Sequence, residues 1–221
     1  MPHLAGEDRR GAVGTSTQRV GRSSKPVANR TRVLVISGPS GAGKGTLIER
    51  ILPRFPGLVV AVSATTRPRR PGEVDGEDYH FMTADQFAAA IASGEFLEHV
   101  EYAGNRYGTL RREVEAKLAE GRSVVVEIEL EGARAIRAML PDAVTVFIAP
   151  PSMSELARRL EERNTDSAGE IATRLAVSRR ELAAMGEFDY RVVNEDVDAA
   201  VAELAGIVGR EIGSPPVERS S

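Results

Sequence analysis

The sequence predicts an α/β fold: a mainly parallel sheet flanked by helices, with a small inserted subdomain and a helical lid. Two observations carry that prediction. Apolar, β-branched runs of strand length alternate along the chain with segments of helical period, and such alternation packs as a buried parallel sheet covered on both faces. A glycine-rich loop joins the first of these runs to the first helical segment, the context in which such loops bind phosphate.

In chain order, RVLVIS from Arg32 reads as a buried strand and GTLIERILPRF after it as a helix. LVVAVS from Leu58, SVVVEIEL from Ser123, AVTVFIAP from Ala143 and YRVVN from Tyr190 read as further strands. Helix starts are marked where a Ser or Thr and a Gln or Glu three residues on can satisfy each other's backbone N–H groups. Thr83 with Gln86, Ser152 with Glu155, and Ser167 with Glu170 have that spacing. Two stretches break the alternation. Thr65 to about Gly108 carries turn signals, short strands and one helix, which suggests an inserted subdomain. From Arg158 to Arg174, two charged helical segments joined by RNTDSAG have the pattern of a mobile flap, spanning about 156–176.

The expected boundaries are a disordered tail over 1–30, a domain over 31–212 (core 31–64 and 109–212) and a shorter tail over 213–221. The first tail is rich in Gly, Ser, Thr and Arg and has no period. Its Arg and Ser also suit a transit peptide, but Glu7 and Asp8 and the lack of an amphipathic stripe speak against one.

With 221 residues, 42% of them hydrophobic, the chain can bury one sizeable core. A net charge of −3 argues against a nucleic-acid binder. The absence of cysteine excludes disulfides and thiolate metal sites. His3, His80 and His99 show no ligand spacing, and no apolar run is long enough to span a membrane. The default expectation is a soluble cytoplasmic enzyme.

Gly38-Pro39-Ser40-Gly41-Ala42-Gly43-Lys44 fits G-x-x-x-x-G-K, the P-loop pattern. Its glycines let successive N–H groups turn inward around a phosphate, the helix N-terminus adds partial positive charge, and Lys44 supplies a point charge. The hydroxyl that normally follows the lysine and helps hold Mg²⁺ is missing, because position 45 is Gly45. Thr46 is the candidate substitute, directly or through water; the alternative is a metal held mainly by phosphate oxygens and waters.

A second anion site is suggested by Ser63-Ala64-Thr65-Thr66-Arg67-Pro68-Arg69-Arg70-Pro71-Gly72-Glu73. A loop presenting Arg67 and Arg70 offers the planar forks that grip a phosphate, and the hydroxyls of Tyr79 and Tyr107 can add donors. Alone, this would be a solvated basic loop; beside a P-loop it reads as an acceptor site.

GPSGAGKGT, SATTRPRRPGEVDGEDYHF, FLEHVEYAGNRYGT, VVVEIELEGA and Asp189-Tyr190-Arg191-Val192-Val193-Asn194 resemble, in order, the successive motifs of the guanylate kinase family. The resemblance runs from about Val33 to about Gly209 and implies phosphoryl transfer from ATP, with Mg²⁺, to GMP. It implies that Arg67, Arg70, Tyr79 and Tyr107 bind the GMP phosphate, with Glu73 aligning the arginines, and that Ser63, Glu98, Thr109 and Glu129 surround the guanine. Chemistry supports Glu98: guanine presents adjacent N1–H and N2–H donors that one carboxylate accepts, and adenine has no such pair. A buried carboxylate left unpaired discriminates by about 10⁴. Thr109 could donate to guanine O6. The sequence departs from many family members with Glu129 in place of Asp and Glu131 in place of Gln; Glu131 is expected to favour the following helix N-terminus.

The resemblance further implies that Arg159, Arg163 and Arg174 belong to a lid closing over ATP, and that Asn194 contacts the adenine. Read from spacing alone, these arginines pair with Glu155, Glu162 or Glu170. Two rival readings are a non-catalytic binding module of the same fold and a kinase of another small phosphate, such as ribose 1,5-bisphosphate. The intact Gly43-Lys44 loop with its arginines argues against the first. The base-reading set of Ser63, Glu98 and Thr109 argues against the second.

Overall fold

The structure, a computed structural model, describes residues 30–102, 104–162 and 168–217. Five parallel strands form the main sheet in the order β2 (Leu58–Val60), β7 (Ser123–Glu127), β1 (Val33–Ser37), β8 (Val144–Ala149), β9 (Tyr190–Val193). Alternation along β1 divides the core. Leu34 and Ile36 face α1 (Lys44–Ile51) and α7 (Val197–Ile212), whereas Val33 and Val35 face α3 (Arg111–Ala119) and α4 (Leu130–Met139). All four are 6% exposed or less, so β1 is buried on both faces, which is why it reads as an unbroken apolar run. The predicted parallel α/β fold is the one observed.

The second sheet has the order β4 (His80–Phe81), β3 (Ala64–Thr65), β6 (Asn105–Leu110), β5 (Phe96–Tyr102), antiparallel except for β3 with β4. It has its own small core, in which Phe87 and Ala90 of α2 (Ala84–Ala92) meet Ala64, Phe96 and Leu110. The Phe87 and Phe96 rings stack with centroids 4.4 Å apart. The run from Leu58 to Ser63, expected as one strand, stops at Val60. Ala61 N still bonds to Val125 O in the main sheet, and by Ala64 the chain has joined the second sheet, so 61–63 is the crossover.

Thr83 and Gln86 form the expected capping box. Ser152 Oγ accepts from Glu155 N at the start of α5 (Met153–Glu162), while the Glu155 carboxylate turns to Arg158 and Arg159. Ser167 lies outside the described residues, as does the expected N-terminal tail apart from Arg30. The segment expected to form a C-terminal tail is docked as far as it is described, since Val217 N donates to Arg54 O at 2.8 Å.

Candidate active site

β1 ends at the middle of the main sheet, and its C-terminal edge feeds the loop 38–43 into α1. Ligands of open α/β sheets bind outside the carboxyl ends of the strands. A Cβ on Gly38 would lie 2.1 Å from Ile148 O, and one on Gly43 (φ 91°) 2.3 Å from Asn194 Nδ2. No side chain fits at either place, so glycine is what permits the loop to run against β8 and Asn194. Lys44 Nζ donates to Gly38 O at 2.6 Å and Pro39 O at 3.3 Å, folding the ammonium back over the loop.

Asn194, 2% exposed and one residue past β9, braces this cradle. Its Nδ2 donates to Ala42 O at 2.8 Å, and its Oδ1 is buried without a partner. The amide donor is thus committed to the loop, and the acceptor remains for an outside donor such as an exocyclic amino group. α5 lies directly on the loop, where a Cβ at Gly41 would meet Leu156 and Leu160 at 3.1 and 3.2 Å. Arg159 pairs with Glu155 at 2.8 Å, as its spacing predicts, and also donates to Asn194 O at 2.9 Å. Arg174, on α6 (Ala168–Ala183), reaches Ser40 Oγ at 3.4 Å. Arg163 lies outside the described residues.

The arginine loop is held by Glu73. Its Oε1 takes Arg67 Nη2 at 2.6 Å and its Oε2 takes Arg70 N at 2.8 Å. The hydrogen bond from Arg67 is the main cause holding the Glu73 carboxyl below its ordinary value. The Arg67 guanidinium lies 5.3 Å from the Tyr79 ring centre, and Tyr79 meets Tyr107 edge-on at 6.1 Å. Arg67, Tyr79 and Tyr107 are therefore together, with Arg70 exposed on the same loop.

Glu98 on β5 lies opposite Thr109 on β6. It is 7% exposed, and Thr109 Oγ1 donates to its Oε1 at 2.7 Å. Its Oε2 is buried with no partner. Burial pushes the Glu98 carboxyl up against the pull of the Thr109 hydrogen bonds. The single hydroxyl proton of Thr109 is spent on Glu98, so here Thr109 orients the carboxylate rather than offering a donor to a base oxygen. Ser63 flanks β3, half-buried, with its carbonyl accepting from His80 N.

The first turn of α4 joins the two halves. A Cβ at Gly132 would stand 3.1 Å from Glu98 Oε2, while Glu129, the N-cap of α4, hydrogen-bonds Glu181 of α6 beside Lys44. Glu181 is 5% exposed, and burial and its Glu129 neighbour raise its carboxyl to about 7. Glu129 thus meets another acid of the chain. Glu131 lies in the first turn of α4, where negative charge is favoured, and pairs with Arg134.

The guanylate kinase family model matches residues 30–211. The chain belongs to the guanylate kinase family. It is 48% identical over 184 residues to the guanylate kinase of Synechococcus sp. (strain JA-3-3Ab), covering 83% of this chain and 85% of that one. It is 52% identical over 175 residues to that of Parasynechococcus marenigrum (strain WH8102), covering 79% and 96%. A crystal structure of guanylate kinase from Anaplasma phagocytophilum superposes with a TM-score of 0.66 at 32% identity, covering 84% and 88%.

Against this guanylate kinase frame, sequence reasoning missed two acids at the site. Glu127 ends β7 beside the P-loop, with Oε2 3.9 Å from a Cβ built on Gly45. It is open to solvent, yet the protein atoms around its carboxyl displace water and push it up while Lys44 pulls it down. The other is Glu181, whose signal was a carboxylate three residues from Ser178 on one buried stripe of α6.

Proposed function

We propose that this chain transfers the γ-phosphoryl group of ATP to the phosphate of GMP, giving ADP and GDP. The observation that carries the reading is Glu98: a carboxylate in an apolar fold with one oxygen fixed by Thr109 and the other buried without a partner. Such an oxygen is costly unless a ligand satisfies it. Guanine does so with N1–H and N2–H, whereas adenine would leave it unpaired.

The acceptor phosphate sits among Arg67, Arg70, Tyr79 and Tyr107, where Glu73 holds the guanidinium of Arg67 and the backbone of Arg70. Ser63 and Glu129 border the base. The loop 38–46 takes the ATP phosphates, Asn194 Oδ1 accepts from the adenine amino group, and Arg159, Arg163 and Arg174 close over the donor. A GMP phosphate oxygen then attacks the γ-phosphorus in line, and the bond to the β,γ-bridging oxygen breaks. The nucleophile is already anionic, so no general base is required. The protein aligns the phosphates, neutralises the moving group and excludes water. On this reading the second sheet is the acceptor subdomain, α5 and the start of α6 form the lid, and the reaction belongs to the cytoplasm, where both nucleotides are used.

Mg²⁺ is the metal this chemistry calls for. In such chemistry Mg²⁺ is carried in on the phosphates and keeps several of its waters. The carboxylate of Glu127, facing the place of the missing hydroxyl at Gly45, and the exposed Thr46 hydroxyl would complete the shell. Bound there, the ion neutralises charge on the β- and γ-phosphates. The test is a coupled ADP-release assay with ATP and Mg²⁺, offering GMP, AMP, CMP, UMP and ribose 1,5-bisphosphate in parallel. Turnover with GMP alone is expected. Turnover with ribose 1,5-bisphosphate but not GMP would overturn the substrate, and none with any acceptor would overturn the enzyme.

A further inference from the structure

One carboxylate outside the site described so far ties the core to the acceptor sheet. Glu113, in the first turn of α3, accepts from Val62 N through Oε1 at 3.1 Å and meets His80 Nε2 through Oε2 at 3.3 Å. Lys117, one turn further on, pairs with Oε1 at 2.6 Å. Each non-helical partner adjoins a candidate acceptor residue: Val62 precedes Ser63, and His80 follows Tyr79. These two strand ends are also tied to each other, since His80 N donates to Ser63 O at 2.9 Å. α3 itself belongs to the core, because Val114 is 1% exposed within the cluster under the main sheet. Val62 lies in the crossover and His80 begins β4 of the second sheet.

We propose that Glu113 is a positioning residue for the acceptor: from the rigid core it fixes the crossover at Val62 and the strand at His80, and so sets Ser63 and Tyr79 in register with the donor loop. Its side chain is 14% exposed. Burial alone would raise its carboxyl, but the bonds from Lys117, Val62 and His80 together hold it below its ordinary value, so it is charged at neutral pH. A charged acceptor on a backbone N–H is among the stronger single hydrogen bonds a fold can make. The inference rests on the acceptor-sheet reading above.

The test measures KM for GMP and for ATP, and kcat, in the full chain and three variants. Glu113→Ala is expected to raise the GMP KM about tenfold and leave the ATP KM within about twofold. Glu113→Gln is expected to restore it to within about threefold, because its amide oxygen accepts from Val62 N and its NH₂ donates to His80 Nε2 once the imidazole takes its Nδ1–H tautomer. His80→Ala severs one arm and is expected to raise the GMP KM about threefold. A purely structural role would lower the active fraction, and hence kcat, without splitting the two KM values. An unchanged GMP KM in Glu113→Ala, a parallel rise in both KM values, or no rescue by Gln would overturn the proposal. If Glu113→Ala does not fold, an unchanged GMP KM in His80→Ala overturns it. Failure of the wild-type chain to phosphorylate GMP is a separate result that sinks the acceptor reading itself.

Discussion

Replacing Glu98 by Gln separates recognition from folding, because the two effects have opposite signs. In the free protein the carboxylate is 7% exposed, and burial raises its pKa despite the Thr109 hydrogen bonds. Its charge at neutral pH therefore costs stability, and a neutral amide of the same shape removes that cost. A higher Tm is therefore expected for the ligand-free variant. Toward GMP the change is a loss. The carboxylate can accept from N1–H and N2–H together, each charged bond being worth about 1.5–3 kcal/mol, and the amide offers one acceptor without charge. A net loss of about 3–4 kcal/mol predicts a fall in kcat/KM for GMP of roughly 10²–10³. The assay is ADP release at saturating ATP with GMP varied, together with thermal melts without nucleotide. A variant within threefold of wild type on GMP would refute the reasoning, and so would one whose activity falls only in step with a lowered Tm.

Three other perturbations probe separate parts of the site. Gly43→Ala places a Cβ 2.3 Å from Asn194 Nδ2 at a positive φ, and kcat/KM for ATP is expected to fall by about 10² or more when measured at saturating GMP. Arg67→Lys keeps the charge but loses the fork that meets Glu73 and stacks by Tyr79. GMP KM should rise roughly 10- to 100-fold, with Glu73→Gln showing a smaller shift in the same direction. Glu181 bears on pH dependence. Its folded pKa of about 7 lies above the ordinary 4.5, so the native state holds more protons between those values. Stability from this group is full below about 4.5 and is lost as pH rises to about 7. Glu181→Gln should remove that decline and leave the variant on the order of 1–3 kcal/mol ahead of wild type at pH 8, with no such lead at pH 4.5, by urea melts. A lead that does not change with pH would contradict the Glu129–Glu181 pair.

The sequence was most legible where one strand or loop carries its own signal. β1, with both faces buried, could only be a continuous apolar run, and the loop 38–44 is dictated by backbone geometry that glycine alone permits. Legibility failed where the outcome depends on partners far along the chain. Nothing in LVVAVS says that pairing with β7 ends at Ala61 and that the remainder crosses to another sheet, because Val62 is as β-prone as Val60 and its N–H is taken by Glu113, 51 residues away. Thr109 reads as a plausible base donor, yet its proton goes to the residue directly across the strand pair. Glu129 reads as a residue beside the guanine, but the fold puts it at the N-cap of α4 with Glu181 of α6 as its neighbour. Only the fold brings those carboxyls together beside Lys44.

The most direct test of the central claim, that one cleft holds a guanine on Glu98 and a polyphosphate on the loop 38–46, is a structure with a bisubstrate analogue joining adenosine and guanosine through an oligophosphate. The account predicts guanine N1 and N2 on Glu98 Oε2, the guanosine-side phosphate among Arg67, Arg70, Tyr79 and Tyr107, and the remaining phosphates in the loop with Lys44. Guanine bound away from Glu98, with Oε2 still unpartnered, would contradict it.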